Sequence, residues 1–317
     1  MTRPVERPDA ATLKAAAAVV GRHLDLTAVV PSPELGPGVT LKLESLQPTG
    51  SFKVRGGLAA VAAAAQRQGG VRLVAASAGN HGLGVAYAAD RLGAEATVVV
   101  AETASAAKVA SLERFSVRLV RHGATYDAAE ARALELAREE GGRFVSPYND
   151  PDVIAGQATV GTELLGQVAG LHTVVVPVGG GGLAAGICLA TEGRDLRVVG
   201  VEPEHSAAMA AALASGSAGP IRLGRTIADG LAGNIEKGSV TVDICRDRGV
   251  EMLQVSEEEI RRAMRFLAFE HGLVAEGAGA VAVAAVHAGR LVADGGTAVV
   301  VTGRNIAPAL LASVLSG

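Results

Sequence analysis

The stretch Lys42-Leu43-Glu44-Ser45-Leu46-Gln47-Pro48-Thr49-Gly50-Ser51-Phe52-Lys53-Val54-Arg55-Gly56-Gly57 changes character twice. The alternation Thr40-Leu41-Lys42-Leu43-Glu44 reads as a strand, Pro48 and Gly50 break the backbone, and the alanine-rich run from Gly57 to Ala65 continues a helix begun before Lys53. Ser51 is placed to cap that helix and Gly69-Gly70 to end it. Strand, loop and helix therefore follow one another, with one lysine on the first helical turn. There the positive end of the helix dipole and partial desolvation both favour the neutral amine, the form that attacks a carbonyl. Lys53 is thus able to hold an aldehyde as a Schiff base, although position alone fits a merely solvated lysine better.

The same alternation continues on the C-terminal side. Strands are expected over Val71 to Ala75, Ala96 to Val100, Ser116 to Val120 and Arg143 to Val145, with helices over Gly82 to Leu92, Ala106 to Arg114 and Asp127 to Glu140 between them. Tyr148-Asn149-Asp150-Pro151 is a breaker-rich turn and a crossing point between lobes. A second series follows: a helix around Gly161 to Val168, strand Thr173 to Val178, helix Leu183 to Thr191, strand Arg197 to Val201 and helix Ala207 to Ser217. Gly219 to Gly238 is loop-rich, and Ser256 with Glu259 forms a capping box for a helix stopped by Gly272. Helix Gly279 to Ala288 and strand Thr297 to Val301 end the series, and an alanine-rich helix over Asp9 to Gly21 precedes it. Strands alternating with helices at this spacing imply parallel pairing through right-handed crossovers. The expected fold is α/β, with two open twisted parallel-sheet lobes.

A chain of 317 residues with 49% hydrophobic content has room for a large core. Only 19% is charged and the net charge is -3, with both signs interspersed, so there is no footprint for nucleic acid. Cys188 and Cys245 are too few for a disulfide framework or a zinc cluster and are expected as small buried hydrophobes. The uncharged run from Thr173 to Thr191 is interrupted by Pro177 and successive glycines, which argues against a membrane span. The N-terminus, with Arg3, Glu6, Arg7 and Asp9, is a poor secretory signal. These features point to a cytoplasmic protein with small soluble ligands.

Gly179, Gly180, Gly181 and Gly182 lie between a valine strand and a helix, where backbone amides converge on an anion and side chains would obstruct it. Phosphate is the natural guest. Gly180, Gly182 and Ala185 also fit the dinucleotide pattern, with Glu202 ending the next strand about 20 residues on as a ribose-binding acid. A dinucleotide, however, gives no role to Lys53 or Asn80. Ser77-Ala78-Gly79-Asn80-His81 sits where a strand meets its helix, the ligand edge of an open parallel sheet. His81 there is either a general base or a hydrogen-bond partner.

Taken together, Thr49-Gly50-Ser51-Phe52-Lys53-Val54-Arg55-Gly56-Gly57, Ser77-Ala78-Gly79-Asn80-His81-Gly82, Pro177-Val178-Gly179-Gly180-Gly181-Gly182-Leu183 and Thr302-Gly303-Arg304-Asn305 resemble, in order, the motifs of fold-type II pyridoxal-phosphate enzymes. Ile154-Ala155-Gly156-Gln157 and Glu276-Gly277-Ala278-Gly279-Ala280 support the likeness, which is to the threonine/serine dehydratase and serine racemase branch. The resemblance implies a tryptophan synthase β-like architecture, with residues 1–70 and 149–317 as a large cofactor-binding domain and 71–148 as a small mobile substrate-binding domain, the cofactor lying in the cleft. It implies pyridoxal 5'-phosphate held by Phe52, Lys53, Asn80, the four glycines and Thr302, with Lys53 as the catalytic residue. Asn80 would bond the phenolic oxygen of the ring, Thr302 would face the pyridine nitrogen, and Ser77, Gly79, Asn80 and His81 would bind substrate.

The implied reaction turns L-threonine, L-serine or a related β-hydroxy amino acid into a 2-oxo acid and ammonia. The alternatives are racemisation or β-replacement on the same cofactor and, outside enzymes, a catalytically silent cofactor-binding module. Ala78 stands where the racemase branch carries a proton-returning serine, and a methyl group cannot do that work. Arg304 replaces an expected glycine and points either to solvent or to a second substrate carboxylate. Family members often hold a divalent cation beside the acid matching Glu202, but the second ligand position is Ala208, so Glu202 is expected as a structural acid and no metal is assigned. A homodimer is expected, and no segment after Thr302 to Gly317 remains for a regulatory domain.

Overall fold

In the computed structural model, which describes residues 5–68 and 71–317, α1 (Ala10–His23) leads into β1 (Val29–Pro31), β2 (Thr40–Leu43) and α2 (Lys53–Gln68). Then β3 (Leu73–Ala76), α3 (Asn80–Leu92), β4 (Ala96–Val100), α4 (Ala106–Leu112), β5 (Arg118–Arg121), α5 (Tyr126–Glu139), β6 (Arg143–Phe144) and α6 (Pro151–Gln167) alternate. Next come β7 (Thr173–Pro177), α7 (Gly182–Ala190), β8 (Arg197–Pro203), α8 (Ala208–Ser215), α9 (Val240–Asp247) and β9 (Glu251–Val255). The chain ends with α10 (Glu257–His271), α11 (Gly277–His287), β10 (Thr297–Val301) and α12 (Pro308–Leu315). The helix stop expected at Gly69-Gly70, like Arg3, lies outside the described residues.

Packing groups the chain into two units, one of Met1–Arg7, Leu26–Ser51 and Ala158–Gly317, the other of Pro8–Asp25 and Phe52–Gln157. Both are α/β with largely parallel sheets, as the strand-helix alternation predicts. In the first, the strands run β1-β2-β10-β7-β8-β9, all parallel except β1, which pairs antiparallel to β2 with Val30 opposite Leu41. Leu41, Val175, Val199 and Val299 from four of these strands share one core with α11. Ten of that helix's residues are buried, so it is apolar all round rather than striped.

The alternation in β2 would put Lys42 on the solvent face, yet it is buried. Its Nζ lies 2.5 Å from the Glu163 carboxylate and donates to the Gln167 side chain (2.7 Å) and the Thr27 carbonyl (3.1 Å). A buried ammonium needs such partners, and α6 supplies two of them.

The sheet of the second unit runs β5-β4-β3-β6, entirely parallel. Helices α2 and α3 touch there through their backbones: a Cβ on Gly84 would sit 2.7 Å from the Lys53 carbonyl oxygen, and one on Gly57 would overlap the Gly84 carbonyl. Two side-chain-free positions let the helices approach closely, and the contact point is the residue that opens α2.

Several elements differ from the sequence reading. Strands β1 and β9 and helices α9 and α12 carry patterns too short or too polar to stand out. The helix expected around Gly161 begins at Pro151: Asp150 Oδ1 accepts from the amides of Asp152 (3.0 Å) and Val153 (3.2 Å), which makes the breaker-rich turn a helix start with proline in its first position. Ser51 does not cap α2. Its hydroxyl is buried without a partner, and its backbone forms a bridge to Gly303. The capping box is formed, with Ser256 Oγ accepting from Glu259 N and Glu259 Oε2 from Ser256 N, and Gly272 ends α10 in the left-handed region.

Because the α2–α3 approach has no room for a methyl group, Gly84→Ala is expected to destabilise the protein by about 1–3 kcal/mol, read as a lower urea midpoint at unchanged slope. An unchanged midpoint would show that the backbone contact does not constrain α2.

Candidate active site

Lys53 is the first residue of α2, as the motif requires. Its Nζ donates to the carbonyl of Pro147, 2.7 Å away, and lies 5.0 Å from the centroid of the Phe52 ring. Burial of the amine end pulls its pKa from the ordinary 10.5 down to about 8. Lys53 is therefore partly neutral near physiological pH, where an exposed lysine is almost wholly charged.

The loop after β3 supplies the next group. Ser77 Oγ accepts from the amide of Gly79 (3.0 Å), an internal turn that orients the segment before α3 opens at Asn80. Ser77, Ala78, Gly79 and Asn80 stay partly exposed. His81 is buried and its Nε2 lies 2.9 Å from the Val145 carbonyl, so that nitrogen carries the proton and donates. Burial first, then the neighbouring positive charge of Lys53, hold His81 down at about 3. It is a neutral hydrogen-bonding group, and a ring that resists protonation in this way favours the hydrogen-bonding reading over the general base. Val145 and Pro147, whose carbonyls anchor His81 and Lys53, were not singled out in the sequence, since any residue type offers a carbonyl.

In the other unit, β7 runs into Gly179, Gly180 and Gly181, and α7 starts at Gly182. Gly181 is the N-cap at φ 84, in the left-handed region, and no side chain caps the helix. A Cβ there would overlap the Met209 side chain. The first amides of α7 thus have no side-chain acceptor, and Gly181 adds no side chain of its own where Met209 and Thr241 already pack close. Thr302, just after β10, is buried, with its hydroxyl 3.4 Å from the Ala278 carbonyl. That bond is long, which leaves the hydroxyl able to turn to a stronger partner.

Arg304 fits neither of its two expected roles: its guanidinium donates to the Ser45 carbonyl and its amide to the Gly50 carbonyl at 2.9 Å, so it braces the loop before Lys53. Asn305 adds a bond to the Thr49 carbonyl at 2.8 Å. Glu202 accepts from the amides of Met209 (2.7 Å) and Ala210 (3.0 Å), capping α8, and burial pushes its pKa up to about 7. Both oxygens are engaged with backbone, the arrangement of a structural acid, and neither is left free for a ribose hydroxyl.

Taken separately, the amine with a lowered pKa in the second unit suits the carbonyl carbon of an aldehyde, and the uncapped glycine-lined helix start in the first suits a phosphate. The model of the family described as "Pyridoxal-phosphate dependent enzyme" matches residues 21–303. The chain is 40% identical over 274 residues to the L-threonine ammonia-lyase of Thermotoga maritima, covering 86% of this chain and 68% of that protein. It is 39% identical to the catabolic L-threonine dehydratase of Escherichia coli strain K12, covering 84% and 83%. Maize serine racemase superposes with a TM-score of 0.89 at 27% identity, covering 98% of each chain. The cofactor is pyridoxal 5'-phosphate, and the protein belongs to the fold-type II pyridoxal-phosphate enzymes, in their threonine/serine dehydratase branch.

Proposed function

We propose that this protein is a lyase that converts L-threonine, L-serine or a related β-hydroxy amino acid into a 2-oxo acid and ammonia. The observation that carries the reading is the desolvated Lys53 amine at the head of α2, in a chain about 40% identical to a named L-threonine ammonia-lyase. Lys53 would hold the aldehyde end of the cofactor, Gly179, Gly180, Gly181 and Gly182 its phosphate, and Phe52, Asn80 and Thr302 its ring. When bound, the cofactor supplies an electron sink for the charge left by loss of the α-proton.

Freed when the substrate's amino group takes its place, Lys53 would then serve as the base. With a pKa of about 8 it is neutral often enough near pH 7 to accept the α-proton, and basic enough to keep it. The Pro147 carbonyl orients the amine while that proton moves. Ser77, Gly79, Asn80 and His81 bind the substrate at its carboxylate end, and His81 contributes a fixed neutral ring rather than a moving proton. Ala78 can neither give nor take a proton, so nothing at that position reprotonates the opposite face of the substrate. This favours elimination over the racemisation named for the maize protein. Residues 71–148 act as the mobile substrate-binding part, and the enzyme works in the cytoplasm as a homodimer.

With L-serine, the purified holoenzyme is expected to release pyruvate and ammonia with little D-serine; abundant D-serine by chiral chromatography would sink the assignment in favour of a racemase. Borohydride reduction followed by peptide mapping is expected to place the cofactor on Lys53, and Lys53→Ala to lower turnover by about 10²–10⁴-fold. In cofactor-free protein, acylation of Lys53 by an amine-selective reagent is expected to rise with pH and reach half its maximum near pH 8. At pH 7 about a tenth of this amine is neutral, far more than for an exposed lysine; a midpoint above pH 10 would show that burial does not tune it.

A further inference from the structure

Thr241 has no role in the reading above, yet its hydroxyl donates to the carbonyl of Gly180 at 2.7 Å. We propose that Thr241 is a positioning residue that fixes the direction of the Gly180–Gly181 peptide, so that the loop's amides face the cofactor phosphate. The proposal rests on the glycine loop being the phosphate site.

Thr241 lies in the first turn of α9 and is fully buried. A threonine hydroxyl has one proton, and here it goes to Gly180. The 2.8 Å contact between Thr241 Oγ1 and Ser239 Oγ must then be donated by Ser239. The two hydroxyls form a directed relay from Ser239 through Thr241 to the loop, each bond polarising the next. Ser239 occupies the N-cap of α9 with a suitable extended backbone, but its side chain makes no capping bond. A serine there normally caps its own helix, and this one serves the relay instead.

The consequence for the loop follows from peptide geometry. Across a trans peptide, the carbonyl of one residue and the amide of the next point in opposite directions. Tying the Gly180 carbonyl toward α9 therefore aims the Gly181 amide away from α9. Glycine places little restriction on which way such a peptide turns, so a run of four cannot hold the orientation by itself. The close neighbours of Gly181 add to the restraint, since a Cβ there would lie 3.1 Å from the Thr241 side chain.

The test uses the full chain, stripped of cofactor and titrated with pyridoxal 5'-phosphate and with pyridoxal, which lacks the phosphate, following the visible absorbance of the bound form. Thr241→Val keeps the shape and removes the hydroxyl. It is expected to weaken binding of the phosphorylated ligand about tenfold and to leave pyridoxal within about twofold, while Thr241→Ser binds both nearly as the unaltered chain does. Should the valine variant not fold, Ser239→Ala removes only the upstream donor and is expected to cost about threefold on the phosphorylated ligand alone. The proposal is overturned if the variants that fold bind the phosphorylated ligand as tightly as the unaltered chain, if both ligands weaken equally, or if the serine variant loses as much as the valine one. If the unaltered chain itself does not prefer the phosphorylated ligand, the glycine loop is not the phosphate site, and the underlying reading fails instead.

Discussion

Taking one amine out of water is the constraint on which the catalytic side of this protein depends. A lysine left in solvent keeps its proton far above neutrality; the desolvated Nζ of Lys53 gives it up near 8. Such an amine would be free to turn if nothing restrained it. The restraint comes from two directions: the Pro147 carbonyl receives its hydrogen bond, and the main chain of Lys53 is wedged against α3 where Gly84 has no side chain. The position of this amine and its proton affinity are therefore set by the same packing.

The same burial acts on His81 with a different result. An imidazole near its ordinary value would titrate in the physiological range, but desolvation and the adjacent ammonium both oppose its charged form. Its Nε2 proton is committed to the Val145 carbonyl, which fixes the tautomer and the ring plane. A second titrating group beside the lysine would compete for the same proton. Keeping the histidine neutral leaves Lys53 as the group that responds to pH.

The glycine loop follows another logic, in which backbone amides are left open and side chains are placed behind the chain. Gly181 is left-handed and tightly packed, the first amides of α7 have no side-chain acceptor, and Thr241 approaches the loop through the Gly180 carbonyl. Charged groups elsewhere in the unit are satisfied locally: buried Glu202 by the first amides of α8, buried Lys42 by Glu163 and Gln167, and half-buried Arg304 by the Ser45 carbonyl. Among the described residues no cluster of His, Cys, Asp and Glu is arranged to hold a metal, and no helix is long and apolar enough to cross a membrane. Cys188 and Cys245 are buried and free, and they pack in the hydrophobic interior.

Much of this was legible in the chain. Alternating apolar patterns and breaker residues defined most strands and helices, because those signals are local and the sheets are parallel. The motif lysine and the glycine loop were visible because both depend on residues adjacent in sequence. Short or half-polar elements such as β1 and β9 were not, since pairing with a neighbouring strand, rather than their own pattern, makes them strands. Asp150-Pro151 looked like a break and is a helix start, a difference that rests on which amides the carboxylate reaches. The sequence by itself determined the fold class, the lysine at a helix start and the glycine run between a strand and a helix. Only the tertiary structure decided that His81 is a neutral donor, that Arg304 braces backbone, and that a threonine far along the chain holds a glycine carbonyl. Carbonyls are common to every residue, and which one a side chain meets is settled by packing.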